Sequence, residues 1–240
     1  MPKIFKPKGF TAVELLLGLA LFAVIATSLY GILSTGIRLN QKSQTINRVS
    51  QEGFWALEQM VHDLENIVGY DFSNSYPDRL AFEGGNDTIS FILPAAEGIK
   101  FVSYYLYSPE QDEVTSTVIG VKSKKNIPVV TRLIKGQTTV YLVREEQPFI
   151  DSLQTSGIKQ GDIEILSTNV KEDGLKFFYA YLKDETQKTI TWENQWNKKY
   201  VPFGLRAEIS LLQPNEKNKE LVFQKDILIP TGFWGRQEEE

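Results

Sequence analysis

Residues 10–33 read FTAVELLLGLALFAVIATSLYGIL and carry one charge, Glu14. About 24 residues make roughly 36 Å of helix, enough to cross a hydrocarbon core of about 30 Å. So long an apolar run must lie in lipid, be removed after export, or be covered by other chains. Lys3, Lys6 and Lys8 precede it. Their placement predicts a cytoplasmic N-terminus and a body on the far side of the membrane.

Glu14 is the oddity. An acid in an apolar span weakens insertion by up to about 2.5–3.5 kcal/mol at the bilayer centre, and by less near its edge. Three readings compete. In the first, the segment is an ordinary signal peptide, with VIAT at 24–27 offering cleavage after Ala26. In the second it is a plain anchor whose glutamate reaches back to the interface. Neither uses Gly9 and Phe10. The third takes KGFTAVE, residues 8–14, as one unit: lysine, glycine, an aromatic, then an acid five residues after the glycine.

That unit resembles the signature of prepilins, the precursors of type IV pilin-like subunits. The resemblance implies a leader, residues 1–9, removed by a membrane prepilin peptidase between Gly9 and Phe10, N-methylation of Phe10, and retention of the apolar helix. It also implies a role for Glu14 in assembly, pairing with the new amino terminus of a neighbouring subunit. A buried carboxylate is tolerated when such a cation neutralises it. Many major pilins carry a proline near mid-membrane; here Gly31 stands in that region.

The helical pattern continues past the membrane-length run. Ile46, Val49, Leu57, Met60, Val61, Leu64, Ile67 and Val68 recur at spacings of three and four, which predicts one amphipathic face. The expected helix runs from about Phe10 to Val68, with Gly31, Gly36 and Gly53 as places for bending and Gly69 as its C-cap. Residues 10–36 form its transmembrane and assembly half, and 37–69 its amphipathic half.

From residue 70 to 234 the chain is β-rich and globular, followed by an acidic tail at 235–240 expected to fray. Strands are expected at 80–83, 88–93, 101–107, 128–134, 138–145, 162–167, 175–182, 203–212 and 220–229. In the clearest of these, Leu205, Ala207, Ile209 and Leu211 face inward while Arg206, Glu208 and Ser210 face out. Strands following one another without helices predict antiparallel pairing. The fold class is therefore α+β, and the resemblance makes it pilin-like: a long N-terminal helix packed on an antiparallel sheet.

Composition narrows the function. The formal charge of −4 becomes −7 once the three leader lysines are set aside, and an acidic body makes nucleic acid a poor partner. The short basic clusters at 122–125 and 197–199 read as solvated loops. With no cysteine there are no disulfides, thiol nucleophiles or thiolate metal sites. The only histidine, His62, lies on the polar side of the amphipathic helix beside Asp63 and lacks a nucleophile in a recognisable context. Ser-x-x-Lys at 156–159 has no companion motifs. Neither 86–88 nor 151–162 has the dense acidic spacing of a calcium loop. We expect no enzyme activity, no cofactor and no metal.

Arg144, Asn169, Val170, Phe177, Tyr179, Trp192, Trp196 and Pro202 follow an order similar to that of J-type minor pseudopilins of type II secretion systems. This resemblance implies a structural subunit in the tip complex that primes a short periplasmic filament for protein export. It would be held in the inner membrane by a single pass, with its body in the periplasm. The implied partners are prepilin peptidase, the other minor pseudopilins, the major pseudopilin, the inner-membrane secretion platform and lipid. Trp192 and Trp196 are candidate subunit contacts, with core packing as the plainer role. The alternatives are a minor pilin of a type IV pilus or DNA-uptake machine, and an exported protein with a cleaved signal peptide.

Overall fold

The structure, a computed structural model, describes residues 11–69, 80–96, 98–108, 140–149, 161–184, 189–213 and 219–232. The Gly9–Phe10 junction, the cluster at 122–125, the expected strand at 128–134, residues 156–159 and the tail lie outside them. The chain divides into two compact units, residues 1–47 and 48–240.

Among the described residues one helix, α1 (Ala12–Glu65), is followed by eight strands. These are β1 (Phe82–Gly84), β2 (Ile89–Ala95), β3 (Gly98–Tyr107), β4 (Val140–Pro148), β5 (Asp162–Asp184), β6 (Thr189–Glu193), β7 (Gly204–Leu212) and β8 (Glu220–Leu228). The expected helix and α+β class are observed, with an antiparallel, curled sheet as the body.

The helix crosses Gly31, Gly36 and Gly53 without a break. Its end is not capped at Gly69. The Asn66 and Ile67 amides close short bonds to the Asp63 and Leu64 carbonyls, and the Asn66 side chain donates to the His62 carbonyl at 2.6 Å. Thr231 from the body then satisfies the Ile67 carbonyl at 3.0 Å. These bonds occupy the orphan carbonyls that any helix terminus leaves open.

The sheet order is β1-β2-β3-β4-β5-β7-β8, with β6 also paired to β5. Sequence reasoning split β5 into two strands at its polar stretch Lys171–Gly174. The strand instead passes through with a bulge, since Val170 opposes Leu211 and the next partner pair is Leu175 with Ile209. The bulge lies against the Ser210 carbonyl, and Ser210, expected outside, is buried. The inward set Leu205, Ala207, Ile209 and Leu211 is fully buried as expected.

The sheet curls back on itself. Gly84 at the end of β1 exchanges backbone hydrogen bonds of 2.9 and 2.7 Å with Trp196, just beyond β6. Gly84 has no room for a side chain because the Tyr179 ring fills the position of its Cβ. Within the curl lies the main core, with Met60 and Leu64 of α1, Phe82, Phe91, Tyr104, Leu142, Phe177, Tyr179 and Trp196. Each large apolar side chain so buried contributes roughly 1.5–3 kcal/mol.

Candidate functional site

The candidate site has two parts: the N-terminal half of α1, and the face by which residues 48–65 meet the sheet.

At the start of α1, Thr11 and Glu14 form a capping box. The Thr11 amide and hydroxyl each donate to Glu14 Oε2 at 3.0 Å, and the Glu14 amide donates to Thr11 Oγ1 at 3.3 Å. The pair satisfies helix-terminal N–H groups reciprocally and places the acid at the positive end of the helix. Among the described residues Glu14 Oε1 accepts no hydrogen bond. Beyond it Leu15, Leu16, Leu19, Phe22, Ile25, Leu29 and Ile32 are all more than half exposed.

Four hydroxyls of this run bond back to the helix itself. Thr27 and Ser28 donate to the Ala23 and Val24 carbonyls at 2.7 and 2.9 Å, and Ser34 and Thr35 both donate to the Gly31 carbonyl. Back-bonding of this kind lets hydroxyls sit in hydrocarbon. The helix is long and apolar enough to cross a membrane.

The second part was mostly invisible to sequence reasoning. Asp63, on the helix, is 2% exposed and sits in the same buried stripe as Met60 and Leu64. It accepts from the Tyr104 hydroxyl of β3 at 2.6 Å and from Arg144 Nε of β4 at 2.7 Å. Arg144 also binds Glu146, which Lys100 holds at 2.7 Å. Burial and the neighbouring Asp63 carboxylate push the Tyr104 phenol well above its ordinary range. Burial works against the Arg144 charge, but its hydrogen bonds to Asp63 and Glu146 outweigh that and raise its pKa. For Glu146, partial burial is overcome by Lys100 and Arg144, which lower the carboxyl pKa.

Two further helix carboxylates reach other strands. Glu52 accepts from Ser167 at 3.1 Å and Asn169 Nδ2 at 3.0 Å, both of β5, and Glu58 takes Lys225 of β8 at 2.5 Å. Gly53, expected as a hinge, is instead a contact point, since a Cβ there would lie 2.6 Å from the Phe223 ring. The signal for Asp63 was its place on the apolar stripe, and the signal for Arg144 was its parity with Val140 and Leu142, which line the core. An acid and a base on facing apolar surfaces are buried only as a pair.

The expected Trp pair is separated. Trp196 is fully buried, its indole donating to the Tyr200 carbonyl at 2.7 Å, so it belongs to the core of this body and not to its surface. Trp192 is 39% exposed, with the Arg206 guanidinium 4.7 Å from its ring centre. His62 is exposed, and its neighbour Asp63 is committed to Tyr104 and Arg144. Among the described residues no group of His, Asp and Glu is placed to hold a metal ion.

No family model matches the chain, and neither a curated protein nor a solved structure matches it.

Proposed function

We propose that the chain is a membrane-anchored structural subunit, a minor pseudopilin of a type II secretion pseudopilus. It is made as a prepilin, cut between Gly9 and Phe10, and carried into the filament by the N-terminal half of α1. The single observation that carries this reading is the state of Glu14. One carboxylate oxygen caps the chain's own helix, and among the described residues the other accepts no hydrogen bond, at the head of an exposed apolar segment. A cation from a sister subunit, the ammonium of a mature Phe10, is the partner that such an oxygen lacks.

The body supports a structural role. Buried Asp63 and Arg144 and half-buried Glu52 fasten α1 to β3, β4 and β5, and the exposed Glu58–Lys225 pair adds β8. A subunit extracted from a membrane and stacked by its helix needs that fastening. Gly18, Gly31 and Gly36 have open space where a Cβ would stand, so no contact among the described residues requires them. Each costs helix stability relative to alanine, by about 0.5–1 kcal/mol. Close approach of a neighbouring helix gives them a purpose.

Two substitutions test the reading. Gly9→Leu leaves a longer, unprocessed chain in the membrane. Glu14→Ala is processed normally but enters filaments poorly, because the neighbour's ammonium then has no counter-charge. Normal maturation of the first variant, or normal incorporation of the second, refutes the proposal.

A further inference from the structure

The basic cluster at 197–199, expected to be a solvated loop, is solvated only in part. Lys199 is exposed, but Lys198 turns back onto the body and its side chain is 26% exposed. Its Nζ lies 3.7 Å from the centre of the Tyr181 ring and 4.3 Å from the centre of the Trp196 ring. Both distances are well inside the limit of about 6 Å within which a ring face attracts a cation. Glu193 Oε2 is 3.0 Å from the same nitrogen.

Neighbouring elements assemble this cage. On β5, Tyr181 continues the inward row of Phe177 and Tyr179 to the rim of the core. Glu193 ends β6, which pairs with β5, and Trp196 follows in the segment that leads to β7. The Tyr181 and Trp196 rings are 6.1 Å apart and tilted by 57°, so they open as a V. Burial, and then a hydrogen bond to Glu193, raise the Tyr181 phenol, so the carboxylate is held from the ring side as well. The V does not depend on the lysine for its shape. Trp196 is fixed by its backbone bonds to Gly84 and by its indole bond to the Tyr200 carbonyl, with the Tyr200 ring edge-on at 5.4 Å. Lys198 is therefore an occupant rather than a strut, and it matches the V imperfectly. An ammonium carries three N–H donors, whereas among the described residues Glu193 is the only acceptor that Lys198 meets. A quaternary ammonium has no N–H to satisfy, and its methyl groups pack on ring faces.

We propose that Tyr181, Glu193 and Trp196 form a binding site for a quaternary ammonium group, and that Lys198 fills this site when no ligand is bound. The two rings supply the π faces and Glu193 supplies the counter-charge. Lys198 is exchangeable because its ion pair with Glu193 is partly exposed on both sides, and such pairs hold weakly. The site draws only on residues of the body and does not depend on how the chain is anchored or assembled.

Choline is the probe, and dimethylbutanol, its uncharged carbon analogue, is the control. In the full chain in detergent, Lys198→Ala empties the V. Calorimetric titration of that variant shows saturable choline binding, about tenfold tighter than to the unaltered chain, and no binding of dimethylbutanol. Adding Tyr181→Leu or Glu193→Gln weakens choline about tenfold, the loss of one ring face or of the counter-charge. Denaturant unfolding checks that each variant keeps its fold. The unaltered chain supplies a measurement that no misfolded variant can spoil. Excess choline, unlike sodium chloride of equal ionic strength, displaces the lysine and quickens acetylation of Lys198, read by mass spectrometry of its peptide. The proposal is overturned if the folded Lys198→Ala chain binds no choline, or binds dimethylbutanol as well as choline, or binds butylammonium more tightly than choline. It is also overturned if choline leaves the acetylation rate of Lys198 unchanged.

Discussion

The two halves of α1 are built from the same helical backbone but solve opposite problems. From Ala12 to about Leu39 the large apolar residues are exposed on every side, and hydroxyls fold back onto the helix. From Val49 to Leu64 one apolar stripe is buried and charged groups beside it are tied to four strands, while Phe54 and Trp55 stand exposed. The second half cannot be separated from the body without exposing a buried ion pair. The contrast places the stabilising contacts of the body in the second half and, on the proposed function, leaves the first half to partners.

Substitutions test that division. The largest effect is expected at Asp63, because Asp63→Ala strands the Arg144 guanidinium in the core and costs about 3–5 kcal/mol. Denaturant unfolding of the full chain in detergent measures it. Trp196→Ala empties a fully buried site and costs a similar amount, about 3–5 kcal/mol; a loss under one kcal/mol contradicts its place in the core. Gly53→Val forces the helix off Phe223 at a cost of about 1–3 kcal/mol.

Acidification acts through Glu146. Its folded pKa is lowered, so the stability it adds is present above its ordinary value and is lost as pH falls through the lowered one. The body therefore weakens below about pH 4, and Glu146→Gln flattens that part of the profile. The smallest effect is expected in the first half. Leu21→Ala changes the unfolding free energy of the body by no more than about 0.5 kcal/mol. A larger loss breaks the division between the halves.

Much of this was legible in residue order. The apolar run and the 3.6-residue stripe set α1 to within a few residues at either end, and the alternation of Leu205 to Leu211 gave the buried face of β7. What escaped was tertiary. Lys171–Gly174 has loop composition, yet pairing with β7 before it at Val170 and after it at Leu175 carries β5 through as a bulge. Thr189–Glu193 was overlooked as a strand because its apolar residues, Ile190 and Trp192, face outward. Asp63 and Arg144 are 81 positions apart, and nothing local shows that the two neutralise each other. Glu14 was the reverse case. Its position drew attention at once, and its bond to Thr11 adds a local capping role to the proposed intersubunit one.

The most direct test is the mass of the N-terminal peptide of the chain recovered from cell membranes. The account predicts a mature protein that begins at N-methylated Phe10 and keeps the whole apolar segment. A chain that still begins at Met1, or one that begins at Thr27 with the segment gone, contradicts it.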